Sequence, residues 1–301
     1  MTLNLAKYNN YLLAIPTVTA VVALAMLLMW PPKLGLDLAG GSLLQVSYAG
    51  QLPTTDEVKA AVAPLALGDI RVQPTGTASY TLRARTLTPD EKTTLEFALS
   101  KLGGMHEDLF TSISPTIGAE ILDKGLIALG LVAFCIILFI AFAFRHVSKP
   151  VASWKYGIIT VVSLLHDILI PVGLFAFLGH TTGAEIDSLF IVALLTILGI
   201  SINDKIVVFD RIRENLGRNS DGKKKEAFHS VVGRSIVQTL ARSINTSLTV
   251  VIVLLALYFV GPASTQVFAL TLTVGMIVGT YSSILLACPL LVLWERFSSR
   301  K

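Results

Sequence analysis

The stretch Ser188-Leu-Phe-Ile-Val-Ala-Leu-Leu-Thr-Ile-Leu-Gly-Ile-Ser201-Ile-Asn203-Asp204-Lys205-Ile-Val-Val-Phe209, followed by Asp210-Arg211, decides the class of this chain. It is long and apolar enough to cross a bilayer as a helix, which takes about 20 residues, and it closes on charges. Working outward, similar runs occupy 12–30, 124–144, 151–178, 239–260 and 265–294, which gives six expected spans. The composition agrees: 53% of residues are hydrophobic and 15% charged, with mean hydropathy +0.70. A soluble domain carries about 25% charged residues, so most of this chain has no water to face.

The run 12–30 follows Lys7 and ends in Trp30-Pro-Pro rather than a small-residue cleavage site, so it reads as an uncleaved first span with an interfacial tryptophan. Lys and Arg placement sets the orientation. The loop 210–238 carries Arg211, Arg213, Arg218, Lys223, Lys224, Lys225 and Arg234, the C-terminus Arg296, Arg300 and Lys301, and the connection after the second span Arg145 and Lys149. The loops near His180–Asp187 and Gly261–Ser264 have neither residue type. Both termini and the basic loop are therefore expected in the cytoplasm. The domains so drawn are 1–32 with the first helix, an extracytoplasmic domain 33–123, and a five-helix block 124–301.

Within 33–123, Ser42–Ala49 alternates as a strand, and Thr54-Thr-Asp-Glu57 is a capping box opening a helix to about Leu67. Ile70–Gln73 and Ser79–Ala84 read as strands about a Pro-Thr-Gly turn. Thr88-Pro89-Asp90-Glu91 opens a second helix with Pro at its first position, and Asp108–Ile113 is a last strand. The order β-α-β-β-α-β is ferredoxin-like and, as a fold used for many purposes, carries no chemistry by itself.

Ionisable residues within spans mark functional sites by default. Asp204 lies six residues inside the interfacial Asp210 and Arg211, about 9 Å at 1.5 Å per residue, and its short stem cannot reach water. A carboxyl there is suited to carry a proton; the plainer reading pairs it with Lys205 or Arg211. Arg242, at the start of the antiparallel fifth span, sits at a similar depth. It can stabilise ionised Asp204 and release it when helices shift, or else snorkel to lipid phosphates. His166-Asp167 in the third span, ahead of Pro171, serves either as a relay or as polar glue between helices. Adjacent helical residues diverge by about 100°, so the two do not share one partner. Asn203 beside the carboxylate leaves sodium open as the coupling ion. Gly275 and Gly279, with Ser282, Ser283 and Ala287, form a small face for internal packing. Cys135 and Cys288 sit singly in apolar runs and read as small buried side chains, with no metal spacing and no expected cofactor. There is no nucleophile-base pair and no Gly-rich loop followed by Lys, so an enzyme is not expected.

The run Asn203-Asp204-Lys-Ile-Val-Val-Phe-Asp210-Arg211-Ile-Arg-Glu-Asn215 resembles the fourth-span signature of the SecF family, and Thr239-Leu-Ala-Arg242-Ser-Ile-Asn-Thr-Ser247 its fifth. His166-Asp167 and Pro115-Thr-Ile-Gly-Ala-Glu120 are similar to its third-span pair and second-span entry. Leu34-Gly-Leu-Asp37-Leu-Ala-Gly40-Gly41 is instead worded like the SecD family, its glycines serving a tight turn where the chain leaves the membrane. The resemblance covers nearly the whole chain. It implies a polytopic half-bundle of the RND-like superfamily, carrying a small ferredoxin-like domain between its first two helices, in the bacterial cytoplasmic membrane. It also implies a complex with SecD on the SecYEG channel, with SecA acting indirectly, the outer domains moving an unfolded polypeptide at the expense of the proton motive force. The family's proton-pathway acid and arginine fall on Asp204 and Arg242. Asn203, Asp210, Arg211, His166 and Asp167 remain as accessory polar residues. No nucleic acid is implied. The alternatives are an RND-like exporter of small molecules or lipids, and a non-transporting scaffold of the export channel.

Overall fold

A computed structural model describes residues 5–50, 52–75, 78–143, 152–220 and 226–299. Arg145, Lys149, Lys223, Lys224, Lys225, Arg300 and Lys301, used above for orientation, and Gly76 of the expected turn lie outside the described residues. The chain forms two compact units, Leu34–Gly125 and the remainder, Met1–Lys33 with Leu126–Lys301.

In the smaller unit a helical turn α2 (Leu36–Ala39), numbered after the first long helix α1 (Leu5–Met29), leads into β1 (Gly41–Ala49). There follow α3 (Thr55–Val62), β2 (Arg71–Thr75), β3 (Ser79–Ala84), α4 (Pro89–Ser100) and β4 (Gly104–Ile113). The sheet order is β2-β3-β1-β4 with every neighbour antiparallel. Both expected capping boxes form: Thr54 and Glu57, and Thr88 and Glu91, satisfy helix-end amides reciprocally. Leu44, Val46 and Tyr48 alternate onto one face of β1 and pack with Val58, Val62, Leu95 and Leu99 from the two helices. The first helix stops short of Leu67, because Pro64 tightens the chain into a 3₁₀ turn and Ala66 takes a left-handed φ of 51°. Conversely β4 begins before Asp108. Gly104–Glu107 is too polar to read as a strand, yet it pairs at the sheet edge, where one face of the ladder meets solvent.

The two glycines after α2 explain their motif. Gly40 and Gly41 have φ of 75° and 124°, and a Cβ on Gly40 would lie 2.5 Å from the Cα of Pro115. A Cβ on Gly118 would lie 2.8 Å from the carbonyl oxygen of Leu38. The motif is thus a backbone-to-backbone clasp on the first turn of α5 (Pro115–Ala143) as well as a turn.

The larger unit holds α1, the body of α5, α6 (Ser153–Thr181), α7 (Ser188–Ser220), α8 (Phe228–Val260) and α9 (Ala263–Ser282), continued through a π-helical turn, Ser283–Ala287, into α10 (Cys288–Ser299). Among the described residues, six helices are long and apolar enough to cross a membrane, counting α9 to α10 as one. Several run past the expected spans, since an apolar run marks only what lies in hydrocarbon. Beyond Phe209, for example, α7 is sustained by Glu214, which accepts from Arg211 at 2.5 Å and Arg218 at 2.6 Å on its exposed face. Small residues set the closest helix approaches. A Cβ on Gly173 of α6 would fall 2.5 Å from the carbonyl oxygen of Ala23 in α1, and one on Gly275 of α9 only 2.2 Å from Ile197 Cδ1 in α7. Both cysteines are free. Cys288 is buried, but Cys135 lies exposed on α5, because that helix turns Phe134, Leu138 and Phe139 outward with it.

Candidate functional site

Close packing of α7 on α9 brings polar residues of three helices into one buried cluster. Ser201 and Lys205 are one helical turn apart and share a face of α7. The Lys205 ammonium is fully buried, and its three donors are all used: on Asp167 of α6 at 2.7 Å, on Ser201 Oγ at 2.5 Å and on Ser282 Oγ at 3.2 Å. Ser201 accepts from Lys205 and donates onward to Asp167 Oδ2 at 2.5 Å. The other carboxylate oxygen of Asp167 meets His166 Nδ1 at 3.1 Å. From there the network leaves the ion pair for α1: His166 Nε2 lies 3.4 Å from Thr19 Oγ1, which is 3.1 Å from the Tyr281 hydroxyl. Asp167 and Lys205 have no exposed surface, so each neutralises a charge that burial alone would make very costly.

His166 and Asp167 do face different partners, as their 100° divergence requires, but the ring also turns back onto its neighbour's carboxylate. Asp204 is set apart from this network. It lines a narrow cleft between α7 and α9 with Ile200, Ser201, Gly275, Met276, Gly279 and Thr280. Among the described residues, no hydrogen bond or ion pair reaches its carboxylate. The nearest charges, Lys205 and Arg242, act on it only through the electrostatic field.

This corrects both sequence-level pairings. Lys205 does not pair with Asp204, because its ammonium is taken by Asp167, and Arg211 is turned to Gln238 at 2.9 Å and to Glu214. Nor does Arg242 close on Asp204 as a direct pair; it is exposed on α8. Asn203 is exposed too, and Asp210 is exposed with Arg213 3.7 Å away, so neither joins the buried cluster. Sequence reasoning passes over Ser201, Thr19 and Tyr281, sets Lys205 only against Asp204, and places Ser282 only in the small packing face. A signal existed for one of them: Lys205 lies deeper than Asp210 within the same span, as Asp204 does, and so qualified as an intramembrane charge in its own right.

A bundle of apolar helices around a buried ion pair, with a separate small α+β unit inserted after the first helix, defines a multi-pass membrane protein. The family described as "Protein export membrane protein SecD/SecF, C-terminal" matches residues 97–297. The chain is 41% identical to the protein translocase subunit SecF of Thermobaculum terrenum, over 96% of this chain and 92% of that one. To the protein translocase subunit SecDF of Bacillus subtilis it is 32% identical, over 95% of this chain and 37% of that one. The crystal structure of SecDF from Thermus thermophilus, a translocon-associated membrane protein, superposes with a TM-score of 0.82 at 27% identity, over 98% of this chain. The chain spans 39% of that SecDF chain. It belongs to the SecD/SecF family of protein-export membrane proteins, and within that family to the SecF subunits.

Proposed function

We propose that this chain works beside SecD as an auxiliary subunit of the Sec translocase in the bacterial cytoplasmic membrane, using the proton motive force to promote the late stage of translocation and release. In this reading both termini are cytoplasmic and Leu34–Gly125 is an extracytoplasmic domain of the ferredoxin-like class. The unfolded polypeptide emerging from SecYEG is its substrate, and the ATPase SecA acts upstream. The chain itself is not an enzyme and needs no cofactor.

The observation that carries the reading is the contrast between two carboxylates one helix apart. Asp167 is locked by Lys205, Ser201 and His166, whereas Asp204 is buried beside a helix-helix cleft with no hydrogen-bond or ion-pair partner among the described residues. A locked carboxylate cannot exchange a proton cheaply; an unpartnered one can, and its charge state then alters the packing of α7 against α8 and α9. Arg242 is the field that receives the ionised form. In this reading Asn203, Asp210 and Arg211 are accessory polar residues on the same helix, and His166 with Asp167 brace the frame.

The test is export in inverted vesicles carrying this chain and SecD, comparing Asp204 with Asp204→Asn while a proton gradient is imposed and collapsed. Loss of the gradient-dependent part, with assembly intact, is the expected result. Unchanged export with unchanged gradient dependence would remove Asp204 from the coupling and leave a scaffold.

A further inference from the structure

Where α6 begins and α10 finishes, a cluster unrelated to the buried ion pair forms. The Trp154 and Trp294 rings meet edge to face at 5.6 Å. The Lys155 ammonium lies 5.9 Å from the first ring and 5.7 Å from the second, and it donates to Ser298 Oγ at 3.0 Å. Trp294 is also one wall of a cavity of about 300 Å³ between α6 and α10, completed by Ile159, Val162, Leu290, Leu293 and Phe297. Trp154 is 53% exposed, Phe297 63% and Val162 45%, so the cluster and the cavity open on the outer surface of the bundle.

Position limits what can fill this cavity. The two helices involved, long and apolar enough to cross a membrane, run Trp154–Thr181 and Ser264–Ser298. The tryptophans thus stand at one end of both, the level where interfacial tryptophans gather, and the cavity lies on the inner side of them. Apart from Lys155 and Ser298, the parts named are hydrocarbon or aromatic. A cation held over two ring faces keeps its remaining donors free for an anion, at the level where lipid phosphates lie. Apolar space below and a fixed cation at the border match the two halves of one molecule.

We propose that this is a binding site for an anionic phospholipid, with the headgroup phosphate on Lys155 and an acyl chain in the cavity against Trp294 and Phe297. Lys155 supplies the charge selectivity and the tryptophans fix the depth. The site stands independently of any role in proton coupling, since it shares no residue with the Asp167–Lys205 network.

The chain holds three tryptophans, and only Trp30 lies elsewhere, so the Trp30→Phe chain reports on this cluster alone. The experiment places that full-length chain in phosphatidylcholine vesicles and compares quenching by brominated phosphatidylglycerol with quenching by brominated phosphatidylcholine. Half-quenching is expected at an anionic-lipid fraction about fivefold lower, the worth of one lysine against an anionic headgroup. Lys155→Gln should abolish that preference and Lys155→Arg retain it, the second variant separating charge from folding. Millimolar inorganic phosphate should leave the quenching unchanged. Equal quenching by the two lipids overturns the proposal, as does a preference that survives Lys155→Gln. Displacement by inorganic phosphate overturns the lipid as the source of the anion.

Discussion

Replacing Asp167 by Asn tests the central ion pair most directly. The side chain keeps its size and one acceptor but loses the charge that balances Lys205, whose ammonium has no exposed surface and, among the described residues, no second carboxylate in hydrogen-bond range. Ser201 and Ser282 continue to accept from it, yet they carry no charge. Removing one partner of a buried pair costs about 3–5 kcal/mol, because the survivor is left uncompensated. Removing both costs far less. In Asp167→Asn with Lys205→Met the amide still accepts from Ser201, and the thioether fills the space of the lysine stem, so unfolding free energy should return to within about 1 kcal/mol of the original. The assay is equilibrium unfolding of the purified chain in mixed micelles, titrated with sodium dodecyl sulfate, for the two single variants and the double. A double variant as unstable as Asp167→Asn alone would refute the reasoning, since the damage would then come from something other than a stranded ammonium. An Asp167→Asn chain of unchanged stability would refute it from the other side.

Four further outcomes follow from the same geometry. Asp204→Asn should change unfolding free energy by less than about 0.5 kcal/mol, as no hydrogen bond or ion pair among the described residues is lost; the same titration checks this against the export defect. Gly275→Ala should cost about 1–3 kcal/mol through its clash with Ile197, and Ile197→Ala in the same chain should recover part of that, which a double-mutant cycle measures. Gly40→Ala should disrupt the smaller unit far more than Gly50→Ala. Both have positive φ, but only at Gly40 does the new methyl meet backbone, and limited proteolysis of Leu34–Gly125 separates the two. Finally, Arg85 and the Thr88 amide hold the Glu91 carboxyl down at about 2. The stability this lends to the start of α4 is present above the ordinary value of 4.5 and is lost as pH falls through about 2. Glu91→Gln should flatten that part of the acid unfolding curve followed by circular dichroism.

The membrane-crossing helices and the small unit's element order were legible because they rest on local signals: unbroken apolar runs, two S/T-x-x-E caps and strands with period-two burial. The first part of β4 was not legible, since Gly104, His106 and Glu107 have no apolar pattern and are held by pairing with β1. At the candidate site, depth along a single helix singled out Asp204, which the fold buries. It could not choose partners. Whether Lys205 reaches Asp204, its neighbour in the chain, or Asp167, its neighbour in space, depends on which face of α7 meets α6 and α9, and that is a property of packing. The Gly275 and Gly279 face held the information in part, for it marks the side on which α9 can come close enough to set Ser282 against Lys205.

The π-helical turn at Ser283–Ala287 amounts to one extra residue wound into an otherwise regular cylinder. It divides the last span into two segments whose faces are out of phase. Upstream the segment offers Ser282 to the lysine; downstream Cys288, Leu291 and Val292 still point into the core. Deleting a single residue there would let the helix relax to uniform winding while everything beyond it kept its face, so Cys288, Leu291 and Val292 would still meet the core. The extra residue is thus what lets one continuous span set Ser282 against the lysine and the apolar stripe of α10 against the bundle, although their spacing in the sequence does not fit a single regular helix.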